Sequence, residues 1–370
     1  MLKKMDKTLL IASILLLIIG LVMVFSASNV TSFMKFKTTP YHFFNRQLVF
    51  MIVSVIISVI MIRIDSKVYG YFSWFIILGL IALLVAVLVS GKMVNQARSW
   101  INILGIQFQP SEFVKVASIV WVSSICANKS KPTLKTYLFM FAILALIAGL
   151  ILVQPDLGTT IIFLTIIFLM FMSLNISPKV KRTIVFTILA IGGIVILLLM
   201  NNGVQIFFER QLSRFDFRDP CSEEKFYTTG TQVCNGYIAF NNGGLTGLGL
   251  GNSTQKYLYL PEAYTDFIFA ITVEELGLII SIIILILMFV VLWRIFIISK
   301  RANTDYGRLM CYGVFWYILL HIVVNLGGVM GIIPLTGVPL PFLSYGGSFL
   351  ISLVISLTIV QRVAIESKIE

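Results

Sequence analysis

The sequence predicts an all-α, polytopic membrane protein with about ten transmembrane helices and one large extracellular loop between helices seven and eight. Three observations carry that reading. Hydrophobic residues make up 58% of the 370 and charged residues only 12%, for a mean hydropathy of +0.98; a soluble chain of this length needs far more charge to cover its surface. Apolar runs long enough to cross a hydrocarbon core recur along the whole chain. The cations fall in short polar segments between those runs, which is how helix orientation is set in a bilayer.

The runs lie at about 8–26, 47–64, 71–90, 112–128, 136–154, 158–175, 183–200, 266–298, 309–330 and 344–364. The first follows Lys3, Lys4 and Lys7 like a signal peptide. No small-residue cleavage site stands out around Ser26-Ala27-Ser28, however, and many spans follow, so it reads as a retained helix. With the N-terminus inside, the inner segments hold 17 Lys and Arg and the outer ones 10, half of those in one long loop. Both termini are thus expected in the cytoplasm. The formal charge of +12 follows from this pattern, and nucleic acid is not expected as a partner. Residues 201–265 are the exception to short loops: too long for a turn, too short for a domain with its own core. The whole chain, 1–370, therefore reads as a single transmembrane domain with 201–265 as an extracytoplasmic loop within it. In that loop Val204–Phe217 mixes Phe with Arg and Glu, as an interfacial helix does, and Gly and Asn crowd its end. Gly337–Ser348, rich in proline and glycine, cannot continue a helix and reads as a re-entrant loop.

Of the four cysteines, Cys126 and Cys311 lie inside apolar runs and read as inert thiols. Cys221 and Cys234 share the long loop and can pair if it faces an oxidising space. The only histidines are His42 and His321, which leaves almost no room for a histidine triad or a multi-histidine metal site; His321 reads as a hydrogen-bonded packing residue. The ionisable residues are more telling, since charge in hydrocarbon is costly. Glu112 and Lys115 share a face at the start of the fourth helix. Asp156 lies in the turn between the fifth and sixth. Asp266 opens the eighth, with Glu274 two turns deeper and Glu275 beside it. Arg98 precedes the fourth. Each alone reads equally well as an interfacial anchor, and Asp266, with Thr265 beside it, as a helix cap. Together they bring charge to the outer ends of several elements. That predicts a polar cavity open to the outer side, with an acid, a base and phosphate-binding cations.

Four segments go further: Gln109-Pro110-Ser111-Glu112 with Lys115; Gln154-Pro155-Asp156-Leu157-Gly158-Thr159; Leu260–Ala270 with Glu274-Glu275-Leu276-Gly277; and Gly337–Ser348. In this order, over essentially the whole chain, they resemble the bacterial shape, elongation, division and sporulation family (RodA, FtsW and relatives). The run Gly247–Lys256, followed by Tyr259-Leu260-Pro261-Glu262-Ala263, looks more like the division-type branch, FtsW, than the elongation type. Two places depart from the family pattern. Tyr264 stands where a histidine is common, so no catalytic role is given to it, and the segment from Asp219 to Val233 is unusual.

The resemblance implies a peptidoglycan glycosyltransferase that polymerises lipid II, an undecaprenyl-pyrophosphate disaccharide-pentapeptide, on the outer face of the cytoplasmic membrane. It implies a class B penicillin-binding protein as partner, among other divisome or elongasome membrane proteins. The motif match makes Asp266 the essential aspartate, expected to act as base. Arg98, Lys115 or a divalent cation (Mg or Mn) is expected to stabilise the departing pyrophosphate, and no other cofactor is expected. Glu112 is expected to fix Lys115. Asp156, Lys256, Glu262, Glu274 and Ser344 read as supporting or substrate-binding residues. The competing reading is a lipid II flippase, for which the deep charges Glu274 and Glu275 speak; a non-catalytic scaffold would leave the convergent charges without a purpose.

Overall fold

The computed structural model describes residues 4–94, 97–103, 106–127, 132–174, 176–186, 219–228 and 230–368. Its helices are α1 (Lys7–Met34), α2 (His42–Met61), α3 (Ser66–Ser90), α4 (Pro110–Cys126), α5 (Leu134–Val153), α6 (Leu157–Ser173), α7 (Glu223–Phe226), α8 (Thr231–Gly243), α9 (Ile268–Arg301), α10 (Asp305–Val329) and α11 (Gly347–Glu366). Residues 178–186 are helical too. Nine of the ten predicted runs coincide with helices among the described residues. The seventh is helical to residue 186 and otherwise lies outside them, as does Val204–Phe217. Among the described residues seven helices (α1, α2, α3, α5, α9, α10 and α11) are long and apolar enough to cross a membrane, and α6 is apolar over 17 residues.

Local chemistry starts these helices where they start. Asp6, Thr133, Asp156 and Thr304 accept the N–H groups of Leu9, Thr136, Thr159 and Gly307 at the heads of α1, α5, α6 and α10, satisfying donors that a helix leaves open. Pro110 sits in the first turn of α4, where its missing N–H costs nothing.

One element departs from the all-α expectation. Residues 91–108, read as a plain loop, hold a small antiparallel sheet in the order β1 (Lys92–Val94), β2 (Ala97–Ile103), β3 (Ile106–Phe108). Asn102 pairs with Gln107 and Ile103 with Ile106. Strands this short leave no periodicity for a sequence to show.

The helix at the centre is α11, buried over 89% of its apolar window, with α2, α4, α9 and α10 packed against it. Its buried Ser352, Ser356 and Thr358 hydroxyls donate back to carbonyls three or four residues earlier, as polar groups in a water-free interior must find partners locally. On the outside, Ile11, Ile14, Leu15 and Ile18 of α1 and Phe72, Phe75 and Ile76 of α3 are exposed. Such a surface suits lipid and not water.

The bundle has two distinct ends. At one, Asp6 pairs with Arg294 of α9 and its backbone exchanges two hydrogen bonds with Gln361 of α11. Arg362 pairs there with Asp65 and Glu366, and Lys368 donates to the Met5 carbonyl, so the two ends of the chain meet. Burial opposes the charge on Asp6, but the Arg294 hydrogen bond and the Leu9 N–H outweigh it and hold that carboxyl below its usual range. The opposite end carries the sheet, residues 219–267 and the connection from α10 to α11.

Candidate active site

At that opposite end, residues 261–267 run as turns, and α9 begins at Ile268 with Phe267 as its N-cap and no side-chain cap. Asp266 is therefore not the helix cap that its place beside Thr265 suggests. Glu262 shapes the turn: its carbonyl accepts the N–H groups of Thr265 and Phe267, both at 3.2 Å, and its carboxylate accepts the Thr265 hydroxyl at 2.8 Å. The second wall is the connection from α10 to α11. Ser344 Oγ donates to the Thr265 carbonyl at 2.7 Å and accepts the Leu340 N–H at 2.8 Å. The Tyr345 N–H donates to the Tyr264 carbonyl at 3.0 Å. Asn325 Nδ2 of α10 donates to the carbonyls of Asp266 and Val338, both at 2.8 Å. Gly337, at φ 72°, faces the carboxylate so closely that a Cβ there would stand 3.4 Å from Asp266 Oδ2.

This connection is re-entrant, as expected. Leu340, Phe342 and Leu343 are buried, and a Cβ on Gly20, midway along α1, would lie 2.0 Å from the Phe342 carbonyl oxygen. Irregular backbone at such depth survives only when protein encloses it. Asp266 and Glu262 are half-buried. Burial first, then the charges of Glu262 and Asp266, push the Tyr264 hydroxyl well above the usual phenol range. The Tyr264 ring packs against Phe43 and Tyr345.

Glu112 and Lys115 do pair, at 2.9 Å and 3% and 1% exposed. Lys115 Nζ also donates to His321 Nε2 at 2.9 Å and stands 5.6 Å from the centre of the Tyr317 ring. An ammonium only donates, so Nε2 accepts, and Nδ1–H of a neutral His321 donates to the Tyr317 carbonyl at 2.7 Å. Glu112 fixes Lys115, as expected. The pyrophosphate role expected of Lys115 has no geometric support: the ammonium is enclosed, with two of its three donors on Glu112 and His321. His321, read as a hydrogen-bonded packing residue, is one: it is buried and takes part in this cluster through both ring nitrogens.

Asp156 caps α6 through Thr159 at 3.1 Å and accepts Gln109 Nε2 at 3.3 Å, while the Gln109 N–H donates to Ser348 Oγ at 2.9 Å. The heads of α4, α6 and α11 thus meet. Gly158 packs on Thr336 and Val338, on either side of the Gly337 that faces Asp266. Arg98 lies on β2, and its side chain is outside the described residues.

The deep charges have a different task. Glu274 accepts Asn242 Nδ2 at 2.9 Å, Thr254 Oγ1 at 2.8 Å and the Ser253 hydroxyl. Glu275 accepts Lys256 Nζ at 2.9 Å and Ser26 Oγ at 2.6 Å. All are buried except Asn242 and Thr254. At the same place α9 is interrupted, Gly277 standing at φ 82° and ψ 166°. The two helical bonds from Leu278 and Ile279 to Glu274 and Glu275 are replaced. Leu278 and Ile279 N–H donate to the carbonyls of Gly244 and Leu245 (3.0 and 3.2 Å), and the carbonyls of Glu274 and Glu275 accept the N–H groups of Leu248 and Gly249 (2.9 Å each). The loop after α8 is spliced into the helix, and each of these four backbone groups keeps a partner.

Cys221 and Cys234 are bonded, tying the α7 segment to α8. An apolar groove of about 370 Å³ lies between α8, α9 and the end of α10, lined by Phe240, Leu245, Phe269, Val273, Leu278 and Met330. It contains none of the charged residues. Sequence reasoning missed Asn325 and Gln47, whose side chain brackets Ser344 and Gly346. It also missed Arg46, exposed on α2 beside Tyr345. No local pattern marks the two amides; a cation near the head of an apolar helix is the signal that points to Arg46.

The model of the cell cycle protein family FtsW/RodA/SpoVE matches residues 6–369. The chain belongs to this family. It is 36% identical, over 98% of its length and 91% of the relative's, to the "Probable peptidoglycan glycosyltransferase FtsW" of Bacillus subtilis. It is 34% identical to the Coxiella burnetii protein of the same name, over 98% and 97%, and 35% identical to the Stage V sporulation protein E of Bacillus subtilis, over 97% and 96%. Its fold matches a chain described under structural coordination of polymerization and crosslinking by a peptidoglycan synthase complex, with a TM-score of 0.75, 24% identity and 97% of each chain covered. It also matches the rod shape determining protein RodA of Thermus thermophilus, with a TM-score of 0.68, 22% identity and coverage of 97% and 96%.

Proposed function

We propose that this family member is a division-type peptidoglycan glycosyltransferase that polymerises lipid II outside the cytoplasmic membrane, with a class B penicillin-binding protein as partner. The observation that carries the reading is Asp266: a half-buried carboxylate fixed by backbone clamps at the end opposite the chain termini. The Lys/Arg bias puts those termini in the cytoplasm and Asp266 outside.

The chemistry is an inverting transfer. Asp266 takes the proton of the acceptor GlcNAc 4-hydroxyl as its oxygen bonds to the MurNAc anomeric carbon. The bond from that carbon to the pyrophosphate oxygen breaks, and undecaprenyl pyrophosphate leaves with the electron pair. Arg46, exposed beside Tyr345, and Arg98 are the cations suited to meet that negative charge. Among the described residues no three His, Cys, Asp or Glu side chains converge as metal ligands. Mg or Mn would then be held by one or two carboxylates together with the substrate's phosphates.

The flippase reading loses its main support, because Glu274 and Glu275 are consumed in fastening the spliced loop and do not line a path. The test is polymerisation of labelled lipid II by the purified protein with its penicillin-binding protein, wild type against Asp266→Ala. Glycan strands from the wild type and none from an equally stable variant are expected. Equal polymerisation by both would remove Asp266 from the mechanism, and lipid II movement between leaflets without polymerisation would restore the flippase.

A further inference from the structure

We propose that Asn325 is a positioning residue that sets the direction of the Asp266 carboxylate. The inference rests on the transferase reading above. Asn325 is 3% exposed, and its amide nitrogen carries two protons. One goes to the Asp266 carbonyl, 59 residues away in sequence, and the other to the Val338 carbonyl, 13 residues away, each at 2.8 Å. A single planar group therefore sets the spacing between the turn that presents the carboxylate and the strand of backbone that walls it.

The geometry around it makes that spacing matter. Gly337, next to Val338, is the residue against Asp266 Oδ2. Ser344 and Tyr345 join the same two segments through Thr265 and Tyr264, so Asn325 supplies the clamp at Asp266 itself. Its own place is anchored: His321, one turn earlier on α10 and on the same face, is held by Lys115 and by Tyr317. The buried ion pair on α4 thereby acts on the reacting end through α10, without touching substrate.

Without the amide, one buried and one half-buried carbonyl lose this donor, and the turn and the wall are free to separate. A displacement of a catalytic group by about 1 Å costs on the order of 100-fold in rate. Asn325→Ala removes the clamp. Asn325→Asp keeps shape and volume but offers no proton to either carbonyl when ionised, and so serves where the alanine variant fails to fold.

The experiment measures kcat and KM for labelled lipid II with the full chain in complex with its penicillin-binding protein, for both variants and for Asp266→Ala, each normalised to folded protein by its melting midpoint. The expected result is a kcat lower by about 100-fold, with KM within a factor of about two because substrate contacts are untouched. Wild-type kcat in Asn325→Asp, a rise in KM at constant kcat, or a loss that merely follows the folded fraction each overturns the proposal. Full activity of Asp266→Ala would instead defeat the underlying assignment, which an active Asn325→Asp beside an inactive Asp266→Ala would not.

Discussion

Gly277→Ala is the substitution that most directly tests the splice between α9 and the loop after α8. An ideal Cβ on Gly277 would stand 2.4 Å from the Leu245 carbonyl oxygen and 2.5 Å from the Gly247 nitrogen. These are backbone atoms, so no side chain can rotate away. The joint is made of four backbone hydrogen bonds between 2.9 and 3.2 Å, and at about 1 kcal/mol net apiece their loss costs about 4 kcal/mol. Forcing alanine into a backbone region that only glycine enters readily adds about 1–3 kcal/mol. At about 1.3 °C per kcal/mol for a chain of this size, the melting midpoint should fall by roughly 6–9 °C. The assay is thermal unfolding of the purified protein in detergent, read by a thiol-reactive dye at Cys311, which is fully buried. Gly79→Ala and Gly149→Ala are the controls: nothing lies within 4 Å of an added Cβ at either, and neither should lower the midpoint. A Gly277→Ala midpoint within about 2 °C of wild type, or controls that fall equally, would refute the splice as a stabilising joint.

Two further outcomes follow from the same end of the molecule. Lys256→Met strips the buried Glu275 of its cation and should cost about 3–5 kcal/mol, while adding Glu275→Gln, which keeps the contacts to Ser26 and the Ser253 N–H, should recover most of it; midpoints of the single and double variants decide, and a silent single variant or an unrescued double one counts against the pairing. Replacing Cys221 and Cys234 by serine opens a loop of sequence separation 13 and should cost about 3 kcal/mol, with the same loss in wild type under reductant; a midpoint indifferent to reductant would show that the bond does not brace α8.

Much of the fold was legible because a bilayer applies a one-dimensional test. A span must be apolar over its own length whatever it packs against, so α1 to α6 and α9 to α11 show in the order of the residues. Their ends were less legible: α1 runs on to Met34 and α2 starts at His42, beyond the hydrophobic windows, because capping and packing continue where hydropathy stops. The pairing of Glu112 with Lys115 was readable from a spacing of three. That the pair is closed off by His321, 206 residues away from Lys115, was not. Glu274 and Glu275 looked like a polar path only because their partners, Ser26 of α1 and the loop residues Ser253 to Lys256, arrive from elsewhere in the chain.

The sequence by itself determined the membrane class, the orientation bias, the resemblance to the family and the residue, Asp266, on which the chemistry is proposed to turn. Each is a property of composition, of order or of a short contiguous motif. Only the tertiary structure decided that Asp266 is no helix cap, that Lys115 is enclosed, that α9 is spliced by a loop and that Asn325 spans two carbonyls beside the carboxylate. Those facts consist of hydrogen bonds between residues tens to hundreds apart, and a buried polar group's partner is chosen by the packing that brings the segments together, which no local pattern encodes.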